Sequence, residues 1–267
     1  MAAPTRTPRD REGRMPLGQH LLELRKRLLI AGLAVILGAV GGYFTSEWVW
    51  AQLQQPLLQV AEEQGRTAEV AYTYITEAFD TLLQISFTVG FVISSPVWLY
   101  QLWAFFVPAL HRKEKRYALG FVLAAFPLFL AGCFVGWLIL PNMVELMIRF
   151  AASDTATLLQ AKVYLDFALK LLLAVGLAFI LPVFLVLLNF VGVLSAKQIL
   201  KGWRIAILLI SVFAALATPA ADVVSMMLLI GSMGVLYFAA AGVAWLHDRA
   251  VRRRDKALDE EYGTASA

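Results

Sequence analysis

Six long apolar runs, parted by short segments that carry almost all of the charge, constrain this chain more than any other feature. They fall at about residues 28–50, 78–110, 117–142, 164–190, 205–218 and 223–245. An α-helix rises ~1.5 Å per residue, so about twenty apolar residues cross the ~30 Å hydrocarbon core of a bilayer. Lipid offers no partner to an unpaired backbone N–H or C=O, so each run is read as a transmembrane helix. The expected fold is all-α, a polytopic membrane protein with six transmembrane helices in a bent bundle. The bends are expected at Pro96 and Pro108 in the second run, Pro127 in the third and Pro182 in the fourth, with Pro141 at the third run's end. Proline lacks the N–H and crowds the preceding turn. The fifth run is short for a span, and local bilayer thinning would accommodate it.

Charge sets the orientation. Nineteen of the 23 Lys and Arg residues lie in segments on the same side as the two termini, three lie on the opposite side, and Lys170 falls within the fourth run. Positive charge marks the cytoplasmic face, so both N- and C-termini are expected in the cytoplasm. The basic residues sit in short clusters between apolar runs, which is a topology signal and not a nucleic-acid footprint. Residues 1–14 read as a disordered N-terminal extension, 15–246 as the membrane domain and 247–267 as a charged cytoplasmic tail.

Catalytic chemistry is poorly represented. Cys133 is the single cysteine and lies in an apolar run, so no disulfide framework exists. His20, His111 and His247 have no metal-ligand spacing, and neither HExxH nor GxSxG occurs. The chain is expected not to be an enzyme, with no metal and no cofactor. A small-solute transporter or channel subunit is the alternative class. It would need polar groups at the midplane, and the spans offer little beyond Gln101, Lys170, Asn189 and Ser or Thr.

Two polar stretches remain. In Met15–Leu29, MPLGQHLLELRKRLL, the residues Leu17, Leu21, Leu24 and Leu28 form one apolar stripe of a helix, and His20, Glu23 and Arg27 fall on the other face. Glu23 and Arg27 are an i,i+4 pair, and Arg25, Lys26 and Arg27 suit anionic headgroups. In Tyr100–Arg116, YQLWAFFVPALHRKEKR, a single carboxylate, Glu114, stands among four cations. Glu114 reads either as a neutralised surface carboxylate or, with Glu23, as a receptor for guanidinium groups, which bind carboxylates bidentately. Gln101 either hydrogen-bonds a neighbouring helix or lines a groove. Asp166 and Lys170 read as an ion pair, Glu77 and Asp80 as helix-start carboxylates, and Gly38, Gly41 and Gly42 as sites of close helix packing.

These stretches carry a resemblance. PLGQHLLELRKRLL together with SSPVWLYQLWAFFVPALHRKEKR resembles TatC, the core subunit of the twin-arginine protein translocase. ITEAF (Ile75 to Phe79), Gly90, Pro141, the Phe179–Pro182 pair and TPAAD (Thr218 to Asp222) are similar in the same order, over about residues 15–246. The resemblance implies a receptor for signal peptides with paired arginines. It also implies small single-span partner subunits of the TatA/TatB type, an oligomeric complex in membrane lipid, and export of folded precursor proteins driven by the proton-motive force. The family's recognition carboxylates fall on Glu23 and Glu114, its aromatic residue on Phe105 and its basic residues on Arg25 and Arg27; Gln101, chosen for its position near the inner end of the second span, completes the candidate signal-peptide site. The chain departs from the pattern at Ile180 and Leu181, where a polar residue is expected, at Gln84 in place of a basic residue, and in the last span at Met226, Gly231, Ser232 and Phe238.

The charge count makes a direct prediction. In a Cys133→Ser background, Gln64→Cys is expected to react with an impermeant maleimide added to intact cells. Lys197→Cys should react only after permeabilisation, and the reverse pattern would refute the assigned orientation.

Overall fold

The computed structural model describes residues 17–63, 68–106, 115–150, 157–218 and 222–265. The extension 1–14, Pro108, Glu114 and the turn at 219–221 lie outside the described residues. The elements are α1 (Leu17–Glu63), β1 (Ala68–Ala71), α2 (Glu77–Ile93), α3 (Ser95–Phe106), α4 (Lys115–Phe150), β2 (Thr157–Gln160), α5 (Ala161–Phe190), α6 (Ala196–Lys201), α7 (Trp203–Ala217) and α8 (Val223–Ala265). Four helices, α1, α4, α5 and α8, are long and apolar enough to cross a membrane, and α2 with α3 forms a fifth span bent by 59°. The sixth is α7, apolar but only 15 residues long.

The bend between α2 and α3 follows from Pro96. Its missing N–H leaves the carbonyl of Val92 without a helical donor. The Ser95 hydroxyl donates to that carbonyl at 2.6 Å, and the Phe91 carbonyl accepts from the Trp98 indole at 2.9 Å and from Ser94 Oγ at 3.3 Å. The break is thereby satisfied within the protein, as lipid surroundings require. The other prolines act differently. Pro127, Pro141 and Pro182 all lie inside continuous helices, so α4 does not end at Pro141 but runs on to Phe150. The last span likewise continues unbroken into the charged segment as far as Ala265.

Helix pairs meet where side chains are smallest. A Cβ on Gly38 would lie 2.6 Å from the Gly90 carbonyl oxygen, and one on Gly42 2.5 Å from that of Ser86, so α1 and α2 touch backbone to backbone. Gly41, on another face of α1, has open space. The crossing of α4 and α5 repeats the device at Gly132 and Gly176, where a Cβ on Gly132 would lie 2.8 Å from the Gly176 Cα. Such pairs are how helices gain contact area in lipid, where no hydrophobic force draws them together. From α5 the core extends to α4, α7, α8 and the far half of α1, with Leu57, Leu140, Leu165 and Leu229 fully buried. A second, aromatic cluster joins α3, α4 and α5 through Trp98, Trp103, Phe121 and Phe129.

The segments opposite the termini are tied together more than the sequence shows. β1 and β2 pair in parallel, Ala68 opposite Thr157, although neither reads as a strand from its sequence pattern. Glu77 is 4% exposed. Its carboxylate accepts from the backbone N–H of Tyr74 at 3.2 Å and of Lys162 at 3.1 Å, and also from that of Thr73. It thus joins the start of α2 to the start of α5, beyond an ordinary helix-start role. Lys162 Nζ reaches Asp80 at 3.3 Å. Asp166 pairs with Lys170 at 3.7 Å and accepts from Gln84 of α2, so the residue standing in place of a basic one supplies a neutral donor.

Gly176→Ala places a methyl 2.6 Å from Cys133 Sγ and 2.8 Å from the Phe129 ring. Overpacking of this kind costs roughly 1–3 kcal/mol, and a lowered melting temperature in detergent is the expected result. Gly231→Ala, with nothing within 4 Å, should leave the melting temperature unchanged or slightly raised.

Candidate functional site

The first turns of α1 lie along α3, and the polar face of α1 makes the contact. His20, Glu23, Leu24 and Arg27 are half-buried, whereas Leu21 and Leu28 are 63% and 61% exposed. An amphipathic helix in water would turn the other way. Here the leucines face the apolar solvent and the polar residues face protein.

Glu23 and Arg27 form a two-pronged ion pair. The carboxylate Oε1 accepts from Arg27 Nε at 3.1 Å and from Arg27 Nη2, and the two side chains are 26% and 21% exposed. The guanidinium also donates from Nη1 to Gln101 Oε1 of α3, at 3.4 Å. Gln101 therefore hydrogen-bonds a neighbouring helix, and it also lines the cavity beside it. One turn along α3, Phe105 stacks on the His20 ring, with centroids 4.5 Å apart and planes 20° from parallel.

Beneath these residues lies a lateral cavity of about 330 Å³, with Arg27 and Gln101 at its polar end and Leu28, Val35, Phe91 and Trp98 along its apolar length. Its aromatic wall is preset. Trp98 stacks on Phe91 at 4.8 Å and meets the edge of Phe129 at 5.5 Å, and its indole N–H is held by the Phe91 carbonyl. The arrangement joins a carboxylate held by a guanidinium to an apolar trough.

Of the residues singled out from the sequence, Glu23, Arg27, Gln101 and Phe105 are brought together. Arg25 is exposed on another face of α1 and joins no part of the groove. Glu114 lies outside the described residues. Sequence reasoning missed His20, Phe91 and Trp98 as parts of the site. The i, i+3, i+7 spacing of His20, Glu23 and Arg27 carried the signal for His20. Nothing local marks Phe91 or Trp98, which meet only because the span bends between them.

The helices and the polar-ended lateral groove define a multi-span helical membrane protein. The comparisons narrow this. The model of the family described as Sec-independent protein translocase protein (TatC) matches residues 19–231. The TatC protein of Xylanimonas cellulosilytica is 41% identical over 244 residues, covering 91% of this chain and 88% of the relative. That of Rothia mucilaginosa is 38% identical, covering 97% and 89%. The crystal structure titled Twin Arginine Translocase Receptor- TatC in DDM superposes with a TM-score of 0.70 at 31% identity, covering 84% of this chain and 99% of that one. This chain belongs to the TatC family of Sec-independent protein translocase proteins. It is a multi-pass inner-membrane component of a transport machine and not an enzyme.

Phe105→Ala removes the surface on which His20 stacks. Amide exchange over residues 20–24 is expected to rise roughly 2- to 10-fold, matching the ~0.5–1.5 kcal/mol that such a ring pair contributes, with no change over residues 53–60.

Proposed function

We propose that this chain is the signal-peptide receptor and core scaffold of a twin-arginine translocase. It takes precursors carrying paired arginines and exports them folded across the cytoplasmic membrane, using the proton-motive force. The observation that carries this reading is the Glu23 carboxylate held by Arg27 at the polar end of an apolar groove. A peptide with arginines followed by an apolar stretch has the same order of chemistry.

The geometry supports an exchange mechanism. Arg27 fills the place that a ligand guanidinium would take and is itself anchored to Gln101. An incoming arginine replaces it on Glu23, and Arg27 retains Gln101. The exchange sets one charge-assisted contact on Glu23 in place of another, so the carboxylate is never left without a partner. A ligand arginine gains a bidentate bond, which the single ammonium of lysine cannot form. Glu114 would take the second arginine. Phe105 and the Phe91–Trp98 wall would hold the apolar stretch, and Arg25 would contact headgroups or acidic precursor residues.

The basic bias supports a cytoplasmic position for both termini and for this end of α1, where precursors are made. Residues 15–246 would be the membrane domain, with 1–14 and 247–267 as its cytoplasmic extension and tail. Small single-span subunits of the TatA/TatB type would complete an oligomeric translocase. Ile180 is buried beside the aromatic cluster, so a partner helix would find no polar anchor there and would dock through other residues.

A photocrosslinker at Gln101, in energised inner-membrane vesicles, tests the receptor reading. Adducts are expected with an Arg–Arg precursor and about tenfold fewer with Lys–Lys, a difference of about 1.4 kcal/mol. Glu23→Ala should abolish the distinction. Equal adducts with both precursors would refute the reading.

A further inference from the structure

A second cavity, larger and unconnected with the proposed peptide groove, lies between α5, α6, α7 and α8. Its volume is about 480 Å³, and Pro182, Leu185, Ile199, Ala206, Met233 and Tyr237 are among the residues that form it. Its two polar side chains are already committed. The Tyr237 hydroxyl donates to the Ile199 carbonyl, and Gln198 completes a capping box with Ser195. Only apolar matter fits inside. Leu181, Ile205 and Leu209, all well exposed, edge the opening.

The segment that supplies the α6 wall of the cavity and the start of its α7 wall is charged with one sign. The segment from Val191 to Arg204 contains Lys197, Lys201 and Arg204 and no carboxylate. The three cations are exposed and have no acidic partner among the described residues. The acid that does reach this segment, Asp248, is committed to Asn189 Nδ2 and the Ala196 N–H, each at 2.8 Å. Trp203, at the start of α7, is half-exposed, with the Arg204 guanidinium 5.6 Å over its ring, an aromatic residue of the kind found at a membrane interface.

We infer that this cavity and the cationic elbow between α6 and α7 form a binding site for an anionic phospholipid, one acyl chain in the cavity and the headgroup phosphate on Lys201 and Arg204. The charge pattern favours an anion at the mouth, and the lining favours a hydrocarbon within. The site does not depend on the signal-peptide reading.

Native mass spectrometry of the detergent-purified full chain tests this, titrating phosphatidylglycerol against phosphatidylcholine of the same acyl chains. The chain is expected to bind the anionic lipid about tenfold more tightly. The double variant Lys201→Gln/Arg204→Gln should bring it down to the level of phosphatidylcholine. Arg253→Gln/Arg254→Gln, on the distal part of α8, should leave the preference intact. Ala206→Trp, which fills the cavity, should weaken both lipids, and Leu209→Trp at the rim replaces it if that variant does not fold. Undiminished phosphatidylglycerol binding by the elbow double variant, or by the cavity-filling variant, would overturn the proposal. So would a disulfide from Leu209→Cys to a single-span protein in lipid-replete membranes, which would give the cavity to a protein helix.

Discussion

The backbone contact of α1 with α2 is the constraint from which the site follows. Gly38 and Gly42 let the two helices lie in direct contact at Ser86 and Gly90, only four residues before the bend at Ser94. With α2 fixed on α1, the 59° turn has one consequence for α3. It is laid across the first turns of α1, where Gln101 meets Arg27 and Phe105 meets His20. The bend is stable because Ser94, Ser95 and Trp98 take up the carbonyls that Pro96 strands. Small residues in one helix and hydroxyls at a proline in the next thus decide what meets the Glu23–Arg27 pair near the start of α1.

Away from the groove, buried polar groups splint the ends of the spans. Glu77 gathers three backbone N–H groups from the start of α2 and the start of α5, beside the short β1–β2 ladder. At the other end, Asp248 on α8 accepts from Asn189 and from the first N–H of α6. In an apolar solvent hydrophobic burial cannot order helices among themselves. These few satisfied polar contacts fix how α5 stands against α2 and α8, and α5 in turn walls the cavity beside α7.

The long spans were legible because an apolar run of sufficient length has few other fates, and the short α7 was legible from its apolar composition between polar turns. The bend at Pro96 was readable from a single residue. Pro141 misled, since a proline within a helix is tolerated where the surrounding packing keeps the helix going, and α4 continues for nine residues beyond it. β1 and β2 could not be read at all, because each is four residues long and pairs with a segment some ninety residues away. For the site, the sequence placed Glu23, Arg27 and Gln101 on the table but not together. Their meeting depends on the angle between α2 and α3, which no local pattern encodes. The wall of Phe91 and Trp98 was hidden for the same reason. Arg25 shows the converse, a residue carried over by motif that the fold turns outward.

The central claim is that Glu23 accepts a ligand guanidinium in place of Arg27, and a double-mutant cycle tests it most directly. Affinities of a synthetic signal peptide would be measured for the full chain in nanodiscs, with Glu23 or Glu23→Gln on one side and each peptide arginine or its lysine replacement on the other. The account predicts a coupling of at least about 1 kcal/mol, within the range for charge-assisted hydrogen bonds, between Glu23 and one of the two arginines only. Strictly additive losses at both positions would contradict it and leave the Glu23–Arg27 pair as a structural tie between helices.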